Sequence, residues 1–248
     1  KAQNYLTDIK NGKLRLTDWF DISTTISKKE VADIIALANS IRQEAEVLVV
    51  VGVGGSQMGS AAIIEALSPY FSTTLSTEVI YAGTHLSSEY LVSLKEYLKD
   101  KAFYVNVISK SGNTLETKLA FDFIYQLTKE KYPQDYHKRI IVTDKEKGGL
   151  RKLCEKEGFK SFVIPDEVGG RFSAFTPAGL LPVAVSGINI ERLLTGASAG
   201  KKHISQAVDY AIARYLLLGK NKVIEALTFY EKKLKGCALW AQQLLGES

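Results

Sequence analysis

The sequence predicts an α/β fold with a doubly wound, mostly parallel sheet of five strands, followed by helices and the start of a second α/β unit. Two observations lead to this fold class. Short apolar runs alternate with amphipathic stretches between residues 27 and 164, as expected for strands joined by helices. The run Val47–Val51 is apolar throughout, which is typical of a parallel strand covered on both faces.

The first elements can be predicted in order from residue 27. Val31, Ile34, Ala38 and Ile41 repeat at helical spacing and predict a helix over 27–44. After the strand at 47–51 comes a glycine-rich loop over 52–57. The next elements are a helix over 58–67, a strand over 79–81, a helix over 87–98, a strand over 103–108 and a helix over 115–131.

The later elements are predicted as a strand over 140–142, a helix over 149–157 and a strand over 162–164. Thr176 before Pro177 is typical of a helix start, with an N-cap followed by proline in the first turn. Further helices are predicted over 177–185, 190–200, 203–218 and 231–245, with a sixth strand over 222–229. We expect an N-terminal segment over 1–26, one domain over 27–188, and over 189–248 a helical connection and an incomplete second domain.

Composition narrows the function classes. The chain has 248 residues, of which 46% are hydrophobic and 24% charged, and its longest apolar runs are too short for a membrane span. The net charge of +5 is spread among mixed-charge pairs, which favours a solvated surface over a nucleic-acid interface. Cys154 and Cys237 lack metal-ligand spacing, and we expect free thiols in the cytoplasm, with no metal or other cofactor.

The loop Gly52-Val53-Gly54-Gly55-Ser56 follows a predicted strand and precedes a helix. Glycines allow successive N–H groups to converge on an anion, and the helix adds its positive dipole end. A tight turn without a ligand is an equally open interpretation. Gln57 stands where the dinucleotide fingerprint needs glycine, and no Gly-Lys-Ser/Thr phosphate loop occurs.

A second loop, Ser109-Lys110-Ser111-Gly112-Asn113-Thr114, carries three hydroxyl groups at a predicted helix start. Hydroxyls and free backbone N–H groups suit a phosphate monoester, although a helix capped by Asn113 and Glu116 is the alternative. The carboxyl ends of parallel strands share one sheet edge, so both loops belong to the ligand edge. Together they favour a sugar phosphate as ligand.

Four motifs carry a resemblance to a known family. Residues 52–56 and 107–114 resemble the sugar isomerase (SIS) domain, and Val168-Gly169-Gly170-Arg171-Phe172-Ser173 and the ending Leu239–Ser248 resemble the bacterial type of phosphoglucose isomerase (glucose-6-phosphate isomerase). The resemblance runs from about residue 18 to residue 248. It implies that the last motif is cut before its usual Glu/Asn-Gly-Lys continuation.

The resemblance implies a site for aldose–ketose isomerisation through a cis-enediolate, in glycolysis and gluconeogenesis. Glu247 would be the base, Gln243 a substrate contact near it, and Arg171 the stabiliser of the enediolate. Ser109, Ser111 and Thr114 would form the phosphate pocket, with Lys110 contributing a backbone contact and Gly55 and Ser56 further contacts. Asn113 departs from the family's usual hydroxyl residue, which affects one contact.

The family also uses a ring-opening histidine across a dimer interface and a lysine near the C-terminus. His85, His137 and His203 lie outside the matching motifs, so we expect structural or surface roles for them. We therefore expect a homodimer for the full-length protein, and weak activity or none for residues 1–248 alone. The alternative is a non-catalytic SIS module that binds a sugar phosphate. No nucleic-acid or membrane partner is expected.

Overall fold

A parallel sheet forms the centre of the molecule. The computed structural model describes residues 4, 7–8, 17–21, 25–71, 77–110 and 114–247. The five strands are β1 Val47–Val51, β2 Glu78–Ala82, β3 Phe103–Ser109, β4 Ile140–Asp144 and β5 Lys160–Val163. They lie in the order β2-β1-β3-β4-β5, and every neighbouring pair is parallel. The predicted fold class is confirmed.

Helices occupy most of the remaining chain. Within the described ranges they are α1 Lys28–Glu44, α2 Met58–Leu67, α3 Ser88–Leu98, α4 Leu115–Lys131, α5 Tyr136–Arg139, α6 Arg151–Glu157, α7 Pro177–Val185, α8 Ile190–Ala199, α9 Ile204–Gly219 and α10 Lys235–Gly246. Thr176 caps α7 by accepting a hydrogen bond from the N–H of Ala178, which confirms the predicted start.

Each face of the sheet has its own core. Val47, Val49 and Val51 pack with residues of α3 and α4 on one face. Leu48 and Val50 pack with residues of α1 and α7 on the other. Because side chains alternate along a strand, a fully apolar run such as β1 supplies both cores at once.

The strand order creates a crevice at the ligand edge. The chain leaves β1 for β2 on one side and later returns to β3 on the other side of β1. The helices that follow β1 and β3 therefore cover opposite faces of the sheet. At such a switch point the loops after the two strands separate and leave room for a ligand. The glycine-rich loop after β1 lies there, together with Ser109, Lys110 and Thr114, the described residues of the second loop.

One predicted element is wrong. Residues 222–229 form no strand, and the side chains of Val223 and Ile224 are 71% and 89% exposed. The apolar pattern is that of a strand, but a strand also needs a hydrogen-bonding neighbour, and the described part of the chain places none beside this segment. The helix expected from residue 231 begins as the 3₁₀ turn Lys232–Leu234 and continues as α10.

Apolar side chains remain exposed along α9 and the following segment. α9 has no buried residue, and Tyr215, Leu216 and Leu218 are each more than half exposed. Among the described residues, no helix combines the length and apolar character needed to cross a membrane.

Candidate active site

The glycine-rich loop after β1 packs directly against the backbone that carries Arg171. Gly54 has a φ of 56°, and residues Gly54–Ser56 form a single 3₁₀ turn. A Cβ atom on Gly55 would lie 2.4 Å from the Arg171 nitrogen and 2.4 Å from the Gly170 carbonyl carbon. Only glycine allows this approach, so the sequence at residue 55 brings the two loops together.

Arg171 lies in the 3₁₀ helix Gly170–Phe175, and several contacts fix its position. The Trp240 indole N–H donates a hydrogen bond to the Arg171 carbonyl oxygen at 3.1 Å. The guanidinium carbon lies 4.9 Å from the centre of the Phe172 ring. Phe172 in turn stacks on Trp19, with ring centres 4.5 Å apart. These contacts hold the Arg171 backbone against the glycine loop and its guanidinium over the Phe172 ring.

The last helix brings two further predicted residues to Arg171. Glu247 follows α10 directly, and its Oε2 lies 3.9 Å from Arg171 Nη1. Gln243, one helical turn earlier, donates a hydrogen bond from Nε2 to Glu247 Oε1 at 3.1 Å. Its Oε1 is buried without a hydrogen-bond partner among the described atoms. The Glu247 side chain is 54% exposed and accessible to a small molecule.

A cavity of about 320 Å³ is lined by Ser56, which follows Gly55, the residue that packs against the Arg171 backbone. It lies at the crevice between the loops after β1 and β3. Its polar lining consists of Ser56, Ser109, Lys110, Thr114, Thr117 and Lys145. Hydroxyl groups and cations around an open cavity are suited to binding a phosphate.

Lys110 uses its side chain differently from a phosphate contact. Its Nζ donates to the carbonyl oxygens of Val168 at 2.5 Å and Asp166 at 3.4 Å. Burial, and then the positive charge of Lys145, lower the pKa of the Lys110 ammonium. The ammonium therefore holds the 166–168 backbone, and Lys110 is also one of the residues that line the cavity.

The helix after the second loop begins at Leu115, with Thr114 in the N-cap position. The sequence predicted Asn113 as the N-cap, but the structure places Thr114 there. The expected contacts of Ser111 and Asn113 themselves lie outside the described residues.

Sequence reasoning missed three residues of this region, the first of which is Thr117, a cavity-lining residue of α4. Lys145 lines the cavity and follows β4 directly, so the rule that ligands bind at the carboxyl ends of strands could have found it. Trp240 was recognised only as part of a motif, and no sequence pattern pairs its indole with a carbonyl 69 residues away. Of the three histidines, His85 and His203 are exposed. No metal-type cluster of His, Cys, Asp and Glu occurs in the described ranges.

Comparison with known proteins identifies the family. The family model "Phosphoglucose isomerase" matches residues 36–248. Glucose-6-phosphate isomerase of Bacillus cereus (strain AH187) is 44% identical over 245 residues, covering 93% of this chain and 54% of the relative. The chain thus spans about half the length of the curated relatives it matches.

Two solved structures are similar in fold. A hypothetical protein of Thermus thermophilus aligns with a TM-score of 0.82 at 29% identity, over 94% of this chain and 55% of its own. A glucose-6-phosphate isomerase from Chlamydia trachomatis aligns with a TM-score of 0.60 at 22% identity, over 71% and 33%, and supports the fold alone. From the family match and the 44% identity, the chain belongs to the phosphoglucose isomerase family.

Proposed function

We propose that the full-length protein interconverts glucose 6-phosphate and fructose 6-phosphate through a cis-enediolate, as a step of glycolysis and gluconeogenesis. One observation carries this proposal. A carboxylate, an amide and a guanidinium converge at Glu247, Gln243 and Arg171, next to a hydroxyl-lined cavity. Membership of the phosphoglucose isomerase family supports it.

Glu247 acts as the base in this mechanism. Its carboxylate removes the proton from C2 of the open-chain aldose and returns it to C1, while a proton moves from the C2 hydroxyl to the C1 oxygen. The hydrogen bond from Gln243 to Oε1 orients the carboxylate and leaves Oε2 on the side of Arg171. A general base held in this way contributes about 10²- to 10⁴-fold to the rate.

Arg171 stabilises the negative charge that develops on the enediolate oxygens. Its side chain is 25% exposed, so its charge is only partly screened by water. The contacts of Trp240 and Phe172 fix it before the substrate arrives. A donor held in place needs little reorganisation during the reaction.

The substrate phosphate binds in the cavity between the loops. Ser56, Ser109 and Thr114 offer hydroxyl groups there, and Ser111 belongs to the same loop by sequence. Gly55 keeps this cavity close to Arg171. In this assignment residues 27–188 form the first SIS domain, and residues 189–248 begin a second one.

A non-catalytic sugar-phosphate-binding SIS module is the second candidate, and the hydroxyl-lined cavity alone fits it equally well. Such a module has no use for a base beside an arginine. Glu247 and Arg171 therefore decide between the two functions.

The proposal is tested with Glu247→Gln in the full-length gene product. We expect exchange of the C2 proton with solvent, followed by NMR in D₂O, to fall about 10²- to 10⁴-fold while glucose 6-phosphate still binds. Glu191→Gln, an exposed glutamate on α8, is the control and should exchange normally. Unchanged exchange in Glu247→Gln would remove Glu247 from the role of base.

A homodimer in the full-length protein and a cytoplasmic location complete the proposal. The family resemblance supports the dimer, and sedimentation velocity at micromolar concentration tests it. The thiols of Cys154 and Cys237 are both free, which fits a reducing compartment.

A further inference from the structure

Lys145 is the first residue after β4, the strand next to β3, and it lines the cavity together with Ser56, Ser109 and Thr114. Its side chain is 33% exposed, so the ammonium is accessible to a small anion. We propose that Lys145 binds the substrate phosphate and supplies the cation of this pocket. The inference rests on the proposed function, because it assigns a further residue to the same site.

The backbone around Lys145 is held rigidly. The fully buried Asp144 carboxylate accepts hydrogen bonds from the N–H groups of Lys145 at 2.7 Å and Leu150 at 2.9 Å. Arg151 Nε donates to the Lys145 carbonyl oxygen at 2.9 Å. The same guanidinium donates to the Phe162 carbonyl oxygen at 2.9 Å, which ties this loop to β5. These hydrogen bonds fix the position of the Lys145 backbone at the rim of the cavity.

The other lysine of the cavity is already engaged. The Lys110 ammonium donates to the carbonyl oxygens of Val168 and Asp166. These two bonds use two of its three N–H donors and hold the ammonium against the 166–168 backbone. Among the residues that line the cavity in the described structure, Lys145 is the cation whose side chain makes no such backbone bonds.

The present partner of Lys145 is easily exchanged. Its Nζ lies 3.4 Å from Asp166 Oδ1, and the Asp166 side chain is 67% exposed. Ion pairs between exposed side chains stabilise only weakly, since water screens them. A phosphate dianion offers more charge and more acceptor oxygens than one exposed carboxylate.

The two charged residues that line the cavity are both lysines, Lys110 and Lys145, while the carboxylates of Asp166 and Glu167 act on Lys110 from outside this lining. The positive charge of Lys145 contributes to the lowered pKa of Lys110, which places the two ammonium groups within each other's field. An anion between the hydroxyl groups and Lys145 would relieve this repulsion. In this arrangement the hydroxyl groups orient the bound phosphate, and Lys145 neutralises part of its negative charge.

The test uses Lys145→Gln in the full-length gene product. We expect the KM for glucose 6-phosphate and the inhibition constant of inorganic phosphate each to rise about tenfold, as expected for loss of one charge-assisted hydrogen bond. Because the contact is the same in ground and transition states, kcat should change less than about twofold. Lys147→Gln removes an exposed charge of the same loop that does not line the cavity, and should change neither constant.

A second variant separates binding from a structural ion pair. Asp166→Asn removes the carboxylate partner and keeps Lys145. If Lys145 binds phosphate, this variant binds inorganic phosphate as well as the wild type or better. If Asp166→Asn instead reproduces the loss seen in Lys145→Gln, the ion pair is what matters and the proposal is overturned. Loss of the folded state in Lys145→Gln, seen by circular dichroism, overturns it as well.

Calorimetric titration with inorganic phosphate separates this inference from the proposed function. Phosphate binding that weakens in Lys145→Gln but not in Lys147→Gln supports the inference even if no isomerase activity is found. An active enzyme in which Lys145→Gln has wild-type affinity for phosphate refutes the inference and leaves the proposed function intact.

Discussion

Replacing Gly55 with alanine tests the close contact on which the candidate site depends. The added Cβ would lie 2.4 Å from two backbone atoms of residues 170 and 171, whereas ordinary contact begins at 3.4 Å. The two loops must therefore separate by about 1 Å, since 3.4 − 2.4 = 1.0 Å. Both neighbours are backbone atoms, so no flexible side chain can move aside.

Two effects of Gly55→Ala follow from that displacement. Overpacking of this kind costs about 1–3 kcal/mol, which lowers the Tm of a domain of this size by roughly 2–12 °C. A shift of about 1 Å in a catalytic group costs about 10²-fold in rate. We therefore expect kcat/KM for glucose 6-phosphate to fall about a hundredfold in the full-length gene product.

The assay combines thermal unfolding with a coupled isomerase measurement. Gly196→Ala is the control, because a Cβ at this position in α8 meets no atom within 4 Å. It should keep the activity and leave the Tm unchanged or slightly higher. If Gly55→Ala has the Tm and kcat/KM of the wild type, the loops are not in the contact described and the reasoning fails.

Two other substitutions probe the surroundings. Trp240→Phe removes the donor to the Arg171 carbonyl oxygen but keeps an aromatic ring beside α2. Urea unfolding should show a loss of about 1 kcal/mol in the free energy of unfolding, together with a lower kcat/KM. No change in either quantity would contradict the positioning role of Trp240. The Tyr136 hydroxyl donates to Glu157 Oε2 at 2.6 Å and is the main cause that lowers the pKa of Glu157. This bond stabilises the fold above the ordinary glutamate pKa, and its contribution is lost as the pH falls through the lowered pKa. The difference in free energy of unfolding between wild type and Tyr136→Phe, measured in urea from about pH 7 to pH 3, should therefore shrink below about pH 4, and a difference constant across this range would be inconsistent with it.

The sequence predicted the sheet well because the central strands are buried on both faces. β1 and β3 are fully buried, and the sequence reflects this in the uninterrupted apolar run of β1 and in the mostly apolar run of β3, which Asn106 interrupts. The edge strand β5 was less well placed, since Lys160 and Ser161 are exposed and carry no apolar signal. The segment 222–229 has the apolar pattern of a strand without a neighbour, and a local pattern cannot say whether a partner is present.

The candidate site was predictable as a set of residues but not as an arrangement. The resemblance pointed to Arg171 and Glu247, but the 3.9 Å between their side chains depends on how α10 packs, which no local pattern describes. The contact of the Lys110 side chain with the 166–168 backbone was likewise not predictable, because it depends on how distant segments pack together. Lys145 was missed because the polar residues Thr143 and Asp144 resemble a loop, so the predicted strand ended at residue 142 and Lys145 did not stand directly after it.

The bonds from Lys110 to the 166–168 backbone link the residue after β3 to the segment that leads to Arg171. The phosphate loop begins at one end of this link, and Arg171 lies three residues beyond the other. Binding energy gained at a phosphate far from the reacting carbons is thereby available to orient the guanidinium during proton transfer. Under the proposed function, free glucose would have a lower kcat as well as a lower affinity than glucose 6-phosphate. It lacks the phosphate group whose binding positions the linked loops.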